Sequence, residues 1–287
     1  MKRVSVAHSP DADDIFMYYA IKFGWVGLGD VEFENVALDI ESLNEKALQN
    51  EYDITAISFG LYPHIKDEYA LLRTAVSFGD GYGPKLVKKK GVKLKPNFKV
   101  ALSGKYTTNA LLFRLAYPKA KVVYKNFLDI EKAVIDGEVD AGVLIHESIL
   151  TYDDSLEVER EIWDIWEELG GKGLPLPLGG MAIRRSIPIT RAISYEELLS
   201  KAVEVAHKNR KLLSKMLLER ALIRVDESDL ERYLDLYANS ESISLSPIQL
   251  KAINKLFEIG YNGGYYDELI NIEDYLVPKE YNDFRFA

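Results

Sequence analysis

An unbroken apolar run that stops on a histidine constrains the fold of this chain more than any other feature. Residues Ala141 to Ile145 form a short apolar run, which is typical of a strand covered on both faces of a parallel sheet. His146 follows directly and is predicted to lie at the carboxyl end of that strand. Ligands bind at this edge of open α/β sheets, so the position favours a role in chemistry. A histidine that only caps the strand end is the alternative.

A second strand end lies near the amino terminus. Lys2 to Ala7 predicts a strand that ends at His8, and Ser9 to Asp14 predicts an acidic turn that caps a helix. Three carboxylates in this turn also suggest a metal site, but no second cluster of ligands with matching spacing is present in the sequence. We therefore expect neither a metal nor a cofactor.

Two further strand ends carry hydroxyl groups. Residues 52–58 predict a buried strand that ends on Ser58. Residues 98–103 predict a strand that leads into Thr107, Thr108 and Asn109 at the start of a helix. The unsatisfied amides of a helix start, joined by two threonine hydroxyls, suit a carboxylate or another polar ligand. Simple capping of the helix by threonine is the alternative.

The length of the chain allows one large domain or two smaller ones, since 287 residues with 47% hydrophobic content can bury a substantial core. The pattern of strands and helices restarts near Pro96, and Met181 to Arg184 predicts a strand that returns to the first unit. We therefore predict a two-lobed α/β protein. Its first lobe would combine residues 1–95 with the helical residues 190–287, and residues 96–189 would form the inserted second lobe. Two crossings between lobes predict a hinge and a ligand cleft.

The composition excludes several classes of partner and chemistry. Acidic residues outnumber basic ones by 45 to 36, which argues against a surface for nonspecific binding of nucleic acid. The lysines of residues 85–95 are more typical of an edge strand and turn than of a binding patch. No apolar run is long enough for a membrane helix and no secretory pattern opens the chain, so we expect a cytoplasmic protein with no membrane partner. Zero cysteines exclude disulfides and thiolate nucleophiles within this chain.

Five sets of residues, spread over nearly the whole chain, carry a resemblance to a known family. They are Ser9-Pro10 with Asp14, Ser58, Gly104 with Thr107-Thr108, His146-Glu147-Ser148 with Thr151-Tyr152, and the segment from Leu174 to Gly179. In order and spacing these sets resemble the 1,4-dihydroxy-6-naphthoate synthases, which belong to the futalosine route to menaquinone.

The resemblance implies a type II periplasmic-binding-protein-like fold, in which two α/β lobes enclose a ligand cleft. It also implies a lyase that converts cyclic dehypoxanthinyl futalosine, a small carboxylated molecule, to 1,4-dihydroxy-6-naphthoate by cleaving a carbon–carbon bond. The family's histidine, which acts as the proton acceptor, corresponds to His146. The family's substrate contacts correspond to Ala56, Ile57, Ser58, Thr107, Thr108 and Asn109.

The first loop departs from the family pattern, because residues 11–14 read Asp-Ala-Asp-Asp where the pattern has Cys-Pro-Asn-Asp. A role for this loop and the exact substrate variant therefore stay open. A chorismate dehydratase of the same pathway and fold is the nearest alternative function, and a solute-binding protein of an uptake system is an alternative from another class. His8 is the second candidate for the base. The sequence leaves the oligomeric state open.

Overall fold

Two β-sheets with helices packed around them make up the computed structural model, which describes residues 2–223, 225–237 and 242–281. The strands of the first sheet are β1 (Lys2–His8), β2 (Val31–Ala37), β3 (Ile54–Ser58), β4 (Tyr69–Leu71), β5 (Ser77–Gly79) and β11 (Leu176–Arg184). Their order is β2-β1-β3-β11-β4, and β5 pairs with the first part of β11. β1 and β3 are parallel, so both end at the same edge, and the antiparallel pairing of Gly179 with Ser58 brings the start of β11 to that edge as well.

The second sheet is also mixed. Its strands are β6 (Lys85–Lys89), β7 (Lys99–Leu102), β8 (Lys121–Tyr124), β9 (Ala141–Leu144) and β10 (Leu156–Glu161). Their order is β10-β6-β9-β7-β8. β7 is parallel to both β8 and β9, so the segments that follow β7 and β9 leave the sheet at one edge.

Helices surround both sheets. They are α1 (Ala12–Lys22), α2 (Ile40–Leu48), α3 (Thr108–Ala116), α4 (Phe127–Ile135), α5 (Ile162–Trp166), α6 (Ile189–Lys208), α7 (Arg210–Glu219), α8 (Glu227–Tyr237) and α9 (Pro247–Asn262). α1 packs against α6, α7 and α8, whereas α3 packs against α5. Among the helices of the described ranges, none is both long enough and apolar enough to cross a bilayer.

The chain crosses between the two sheets at positions that differ from the predicted lobe boundaries. The first crossing lies between Gly79 and Lys85, because β5 pairs in the first sheet and β6 in the second. The second lies between Glu161 and Leu176, because β10 pairs in the second sheet and β11 in the first. Strand pairing therefore moves both crossings ahead of the predicted boundaries after residues 95 and 189. The proline-containing residues 176–179 form the first half of β11.

The lysine-containing strand β6 is an interior strand, so the prediction of an edge strand was wrong. It pairs with β10 on one side and with β9 on the other. The physical reason is charge pairing across the sheet: Lys88 Nζ lies 2.6 Å from Glu159 Oε2 and 3.5 Å from Glu157 Oε1. Lys85 Nζ donates to the carbonyl of Ile149 at 3.0 Å. Partners on the neighbouring segments allow these lysines to lie within the sheet.

The C-terminal segment packs on the first sheet beside the turn that follows β3. The hydroxyl of Tyr266 donates to the carbonyl of Gly60 at 2.8 Å. Farther along, the amide of Val277 donates to the carbonyl of Leu71 at 3.1 Å. Tyr62, which is fully buried, stacks on Phe257 of α9. These contacts fix the turn after β3, at the edge of the first sheet where β3 ends.

Candidate active site

A cleft lies where strand ends of the two sheets face each other. From the first lobe it is lined by Ser9, Asp11, Asp14, Ile40, Ala56, Ile57, Ser58, Ala75, Ser77, Leu178, Gly179, Gly180 and Tyr233. From the second lobe it is lined by Pro84, Thr107, Thr108, Asn109, Ile145 and His146. The cleft is therefore placed as the strand-edge rule predicts.

The seven residues predicted to form the site all line this one cleft. Ala56, Ile57 and Ser58 form the last part of β3. Thr107 is the N-cap of α3, and Thr108 and Asn109 are its first residues. His146 follows β9 after one intervening residue. Three segments that are distant in the chain are thus brought together, while the role of each residue toward a substrate stays a prediction.

His146 lies beside a buried carboxylate. Its Nε2 is 2.9 Å from Asp11 Oδ2, and the Asp11 side chain is only 1% exposed, against 19% for His146. The ring of Phe127 packs edge-to-face on the imidazole, with 5.0 Å between ring centroids. The backbone of His146 has a φ of +54°, a left-handed conformation that is uncommon for residues other than glycine. Such strained positions cluster at functional sites.

The turn before α1 is held together by its own hydrogen bonds. The Ser9 amide donates to Asp14 Oδ2 at 2.8 Å, and the Ser9 hydroxyl donates to Asp11 Oδ2. Burial raises the pKa of Asp14, and the negative charge of Asp11 adds to the rise, whereas His8 and His146 oppose it. Two carboxylates and an imidazole thus share one wall of the cleft.

His8, the second candidate for the base, is buried beneath this wall. Its Nδ1 lies 2.6 Å from the carbonyl oxygen of Ser9. A carbonyl only accepts, so Nδ1 carries a proton and Nε2 accepts from the side-chain amide of Asn35. The ring also packs on Tyr18, with 4.9 Å between centroids. His8 is not among the described residues that line the cleft.

Ser58 is oriented by a buried asparagine of α2. The Ser58 amide donates to Asn44 Oδ1 at 2.9 Å, and Asn44 Nδ2 donates to the Ser58 hydroxyl oxygen at 3.0 Å. Asn44 is fully buried. Because the hydroxyl oxygen of Ser58 acts as an acceptor here, its hydrogen can be donated to a ligand in the cleft.

The two threonines at the start of α3 bond to the protein. Thr107 caps the helix by accepting from the Ala110 amide at 3.3 Å, and it donates to Asn109 Oδ1 at 2.7 Å. Thr108 accepts from the Gly60 amide and donates to the Leu178 carbonyl, both at 2.9 Å. Thr108 of the second lobe is thus bonded to two segments of the first lobe, the turn after β3 and the start of β11. The amides of Thr108 and Asn109 belong to the first turn, which has no intrahelical acceptors for them.

A glutamate of α2 makes a second connection between the lobes. Glu41 Oε1 accepts from the amides of Lys105 at 2.5 Å and of Tyr106 at 3.2 Å. Burial raises the pKa of Glu41, and the two amides partly oppose that rise. A side chain on Gly104 would collide with the Glu41 carboxylate. The close approach of the lobes therefore requires glycine at this position.

The cleft also contains residues that were not among the predicted site residues, and three of them carry an ionisable side chain: Asp11, Asp14 and Tyr233. Asp11 and Asp14 lie in the acidic turn, whose position after a strand end was the available signal. Tyr233 comes from α8, and nothing in the helical pattern of that region points to the cleft. Across the described residues, no group of three or more His, Cys, Asp or Glu side chains is placed to hold a metal ion.

Comparison with known proteins places these observations in a family. The chain matches the family model described as menaquinone biosynthesis over residues 4–262. Two similar proteins are both named 1,4-dihydroxy-6-naphthoate synthase. The protein from Thermus thermophilus is 33% identical over 213 residues, which cover 72% of this chain and 76% of the relative. The protein from Streptomyces coelicolor is 28% identical over 260 residues, which cover 88% of this chain and 91% of the relative.

Solved structures give the same fold. A protein from Archaeoglobus fulgidus is 37% identical, with a TM-score of 0.85 over 91% of this chain and 98% of that protein. The alkanesulfonate-binding protein of Xanthomonas axonopodis pv. citri has a TM-score of 0.68 over 96% of this chain and 98% of its own, but at 12% identity that likeness concerns the fold alone. The predicted two-lobed, periplasmic-binding-protein-like fold is confirmed. Since the family model matches most of its length, the chain belongs to the menaquinone biosynthesis family.

Proposed function

We propose that the protein is a 1,4-dihydroxy-6-naphthoate synthase, a carbon–carbon lyase that acts on cyclic dehypoxanthinyl futalosine. The observation that carries the proposal is that His146 and the six predicted substrate contacts line a single cleft. The names of the Thermus and Streptomyces relatives support the same activity. The cytoplasmic location expected from the sequence stays a prediction.

His146 is the proposed general base. Cleavage of the carbon–carbon bond requires removal of a proton, so that electrons flow toward the departing fragment and the remaining ring becomes aromatic. Histidine is suited to accept a proton near neutral pH. His146 is a cleft-lining histidine, whereas the imidazole of His8 is buried beneath the wall and bonded at both nitrogens.

The substrate's carboxylate is proposed to lie at the other wall, against the start of α3. The amides of Thr108 and Asn109 and the positive end of the helix dipole suit an anion. Asn109 Oδ1 already accepts from Thr107, which leaves the amide nitrogen of Asn109 as the group that this side chain offers. The negative charge of Asp11 on the acidic wall would repel a carboxylate. The electrostatics therefore favour one orientation, with the reacting carbon near His146.

The test is direct. Purified protein is incubated in parallel with cyclic dehypoxanthinyl futalosine and with chorismate, and the products are identified by mass spectrometry. We expect 1,4-dihydroxy-6-naphthoate from the first substrate and no change in the second. Dehydration of chorismate would assign the alternative activity. If both compounds were bound, as measured by calorimetry, but neither was converted, a solute-binding function would replace the proposal.

A further inference from the structure

We propose that Asp11 is a positioning residue for His146, which orients the imidazole and stabilises the imidazolium formed when the ring takes a proton from the substrate. The inference rests on the proposed function, because it assigns Asp11 a role in that reaction. Its geometric basis is the distance of 2.9 Å between Asp11 Oδ2 and His146 Nε2. Because Nε2 is the ring nitrogen beside the carboxylate, the proposal makes Nδ1, on the other side of the ring, the proton acceptor.

The side chain of Asp11 does not perform the task that its position in the chain suggests. Asp11 is the N-cap of α1, yet its side chain makes no capping hydrogen bond. Asp39, the N-cap of α2, does cap its helix by accepting from the Ser42 amide at 3.1 Å. Both caps have extended backbone conformations, with ψ near 157°. The difference therefore lies in the side chain, which at Asp11 contacts a residue 135 positions away instead of its own helix.

The surroundings of Asp11 favour a negative charge there. A buried carboxylate is costly unless hydrogen bonds or a charge compensate it. Asp11 receives a hydrogen bond from the Ser9 hydroxyl, and it lies at the positive end of the α1 dipole. The neighbouring Asp14 has a raised pKa, which reduces the competing negative charge. An opposite charge within about 4–6 Å favours the protonated form of an imidazole.

The conformation of His146 also requires support. Its backbone is left-handed, and such a conformation in a residue with a side chain persists only where neighbouring groups hold it. Phe127 packs on the ring edge-to-face. Asp11 supplies a polar partner, with Oδ2 at 2.9 Å from Nε2. Together the two contacts fix the orientation that a general base needs within hydrogen-bond reach of the substrate.

The decisive variant is Asp11→Asn, which keeps the size of the side chain and removes its charge. We expect kcat to fall about 10²-fold or more, as when an aspartate that orients a catalytic histidine is replaced, while KM changes much less. Asp11→Glu should restore part of kcat. Asp226→Asn, at an exposed aspartate before α8, is the matched control and should leave kcat unchanged. If Asp11→Asn does not fold, Asp11→Ser removes the same charge and takes its place.

Two readouts separate positioning from a merely structural role. In the His146→Asn background, Asp11→Asn should change kcat little, because residues that act as a unit are not additive. In otherwise wild-type protein, the NMR titration midpoint of the His146 ring should move to lower pH on Asp11→Asn and stay in place on Asp226→Asn. An unchanged kcat and midpoint in a folded Asp11 variant would overturn the inference. If the wild type made no naphthoate but the midpoint still moved, the proposed function would fail while the coupling of Asp11 to His146 stood.

Discussion

The two polar walls of the cleft carry similar short side chains but differ in what those side chains contact. In the turn before α1, Asp11 leaves its own helix uncapped and lies beside His146. At the start of α3, the hydroxyl of Thr107 caps the helix, and that of Thr108 joins the two lobes. The first wall thus places charge near the candidate base, whereas the second holds the lobes together and offers backbone amides.

The comparison shows that a strand end at the ligand edge does not by itself decide between chemistry and structure. Both walls follow a parallel strand, and both begin a helix. Both contacts cross between the lobes, and what differs is the partner: the candidate base at Asp11, and a backbone amide and carbonyl at Thr108. Substitutions that remove one partner at a time therefore test the distinction.

Replacing the base should have the largest effect. His146→Asn is expected to lower kcat about 10²- to 10⁴-fold, the usual cost of losing a positioned general base, with the fold retained by circular dichroism. Wild-type kcat should also fall at acid pH as the base becomes protonated. His207→Asn, on the last turn of α6, is the control. A folded His146→Asn enzyme with kcat within a few-fold of wild type would contradict the assignment of His146 as the base and would favour His8.

Replacing the threonine that joins the lobes should act first on stability. Thr108→Val leaves the Gly60 amide and the Leu178 carbonyl without a partner. Each such buried group costs about 1–3 kcal/mol, so the free energy of unfolding in urea should fall by about 2–6 kcal/mol. Thr108→Ser keeps the hydroxyl and serves as the control.

The kinetics of the same variant sharpen the comparison. If the amides at the start of α3 bind the substrate's carboxylate, Thr108→Val keeps them but removes the two hydrogen bonds that hold them in place. A resulting loss of about 1.4 kcal/mol in binding would raise KM about tenfold. A folded variant with a lowered unfolding free energy and an unchanged KM would restrict Thr108 to its structural role. Thr108→Ser should keep both quantities near their wild-type values.

The position of His146 could be predicted from the sequence, because the apolar run before it is continuous and the ends of parallel strands share an edge. The same rule brought Ser58 and Thr107 to the cleft. The contact of Asp11 with His146 could not be predicted, since local preference assigns an aspartate at an N-cap to its own helix. The Asp11 side chain lies beside His146, instead of capping α1, because the two lobes approach each other there.

The second lobe shows the same limit of local patterns. The lysines of β6 resemble those of an edge strand, and the glutamates of β10 that pair with them lie about 70 residues later. The predicted boundary near Pro96 followed a restart of the pattern, whereas strand pairing places β6 in the second sheet. Pairing between distant strands carries no local signal that a single sequence displays.

Weakening the contact of Glu41 between the lobes should have a smaller effect. Glu41→Gln keeps an acceptor for the amides of Lys105 and Tyr106 but removes the charge. Burial raises the pKa of Glu41 even with these two hydrogen bonds in place, so the charged form costs stability at neutral pH, and the free energy of unfolding of Glu41→Gln should there be equal to that of the wild type or higher. Glu45→Gln, on an exposed position of the same helix, is the control. A loss in stability would mean that the hydrogen bonds to the charge contribute more than its burial costs.

The last effect concerns the pH dependence of stability at the acidic wall. Burial raises the pKa of Asp14 above its ordinary value of 3.8, so the folded state binds the proton more tightly than the unfolded state. The contribution of this tighter proton binding to the free energy of unfolding is fully present below pH 3.8. It is lost as pH rises through the folded-state pKa. Asp14→Asn should therefore match the wild type at low pH and become the more stable protein as pH rises, with a slope of at most about 1.4 kcal/mol per pH unit for one proton.

Asp226 provides a control of opposite sign. Hydrogen bonds, chiefly from the Asp229 amide, lower the pKa of Asp226, so its contribution to stability is present above its ordinary pKa and is lost as pH falls. Asp226→Asn should therefore be less stable than the wild type at neutral pH, and the difference should disappear in acid. Urea unfolding of the three proteins between pH 3 and 8 measures both differences. If Asp14→Asn followed the wild type at every pH, the acidic wall would carry no cost in stability, and its carboxylates would differ from ordinary surface aspartates only through the contact with His146.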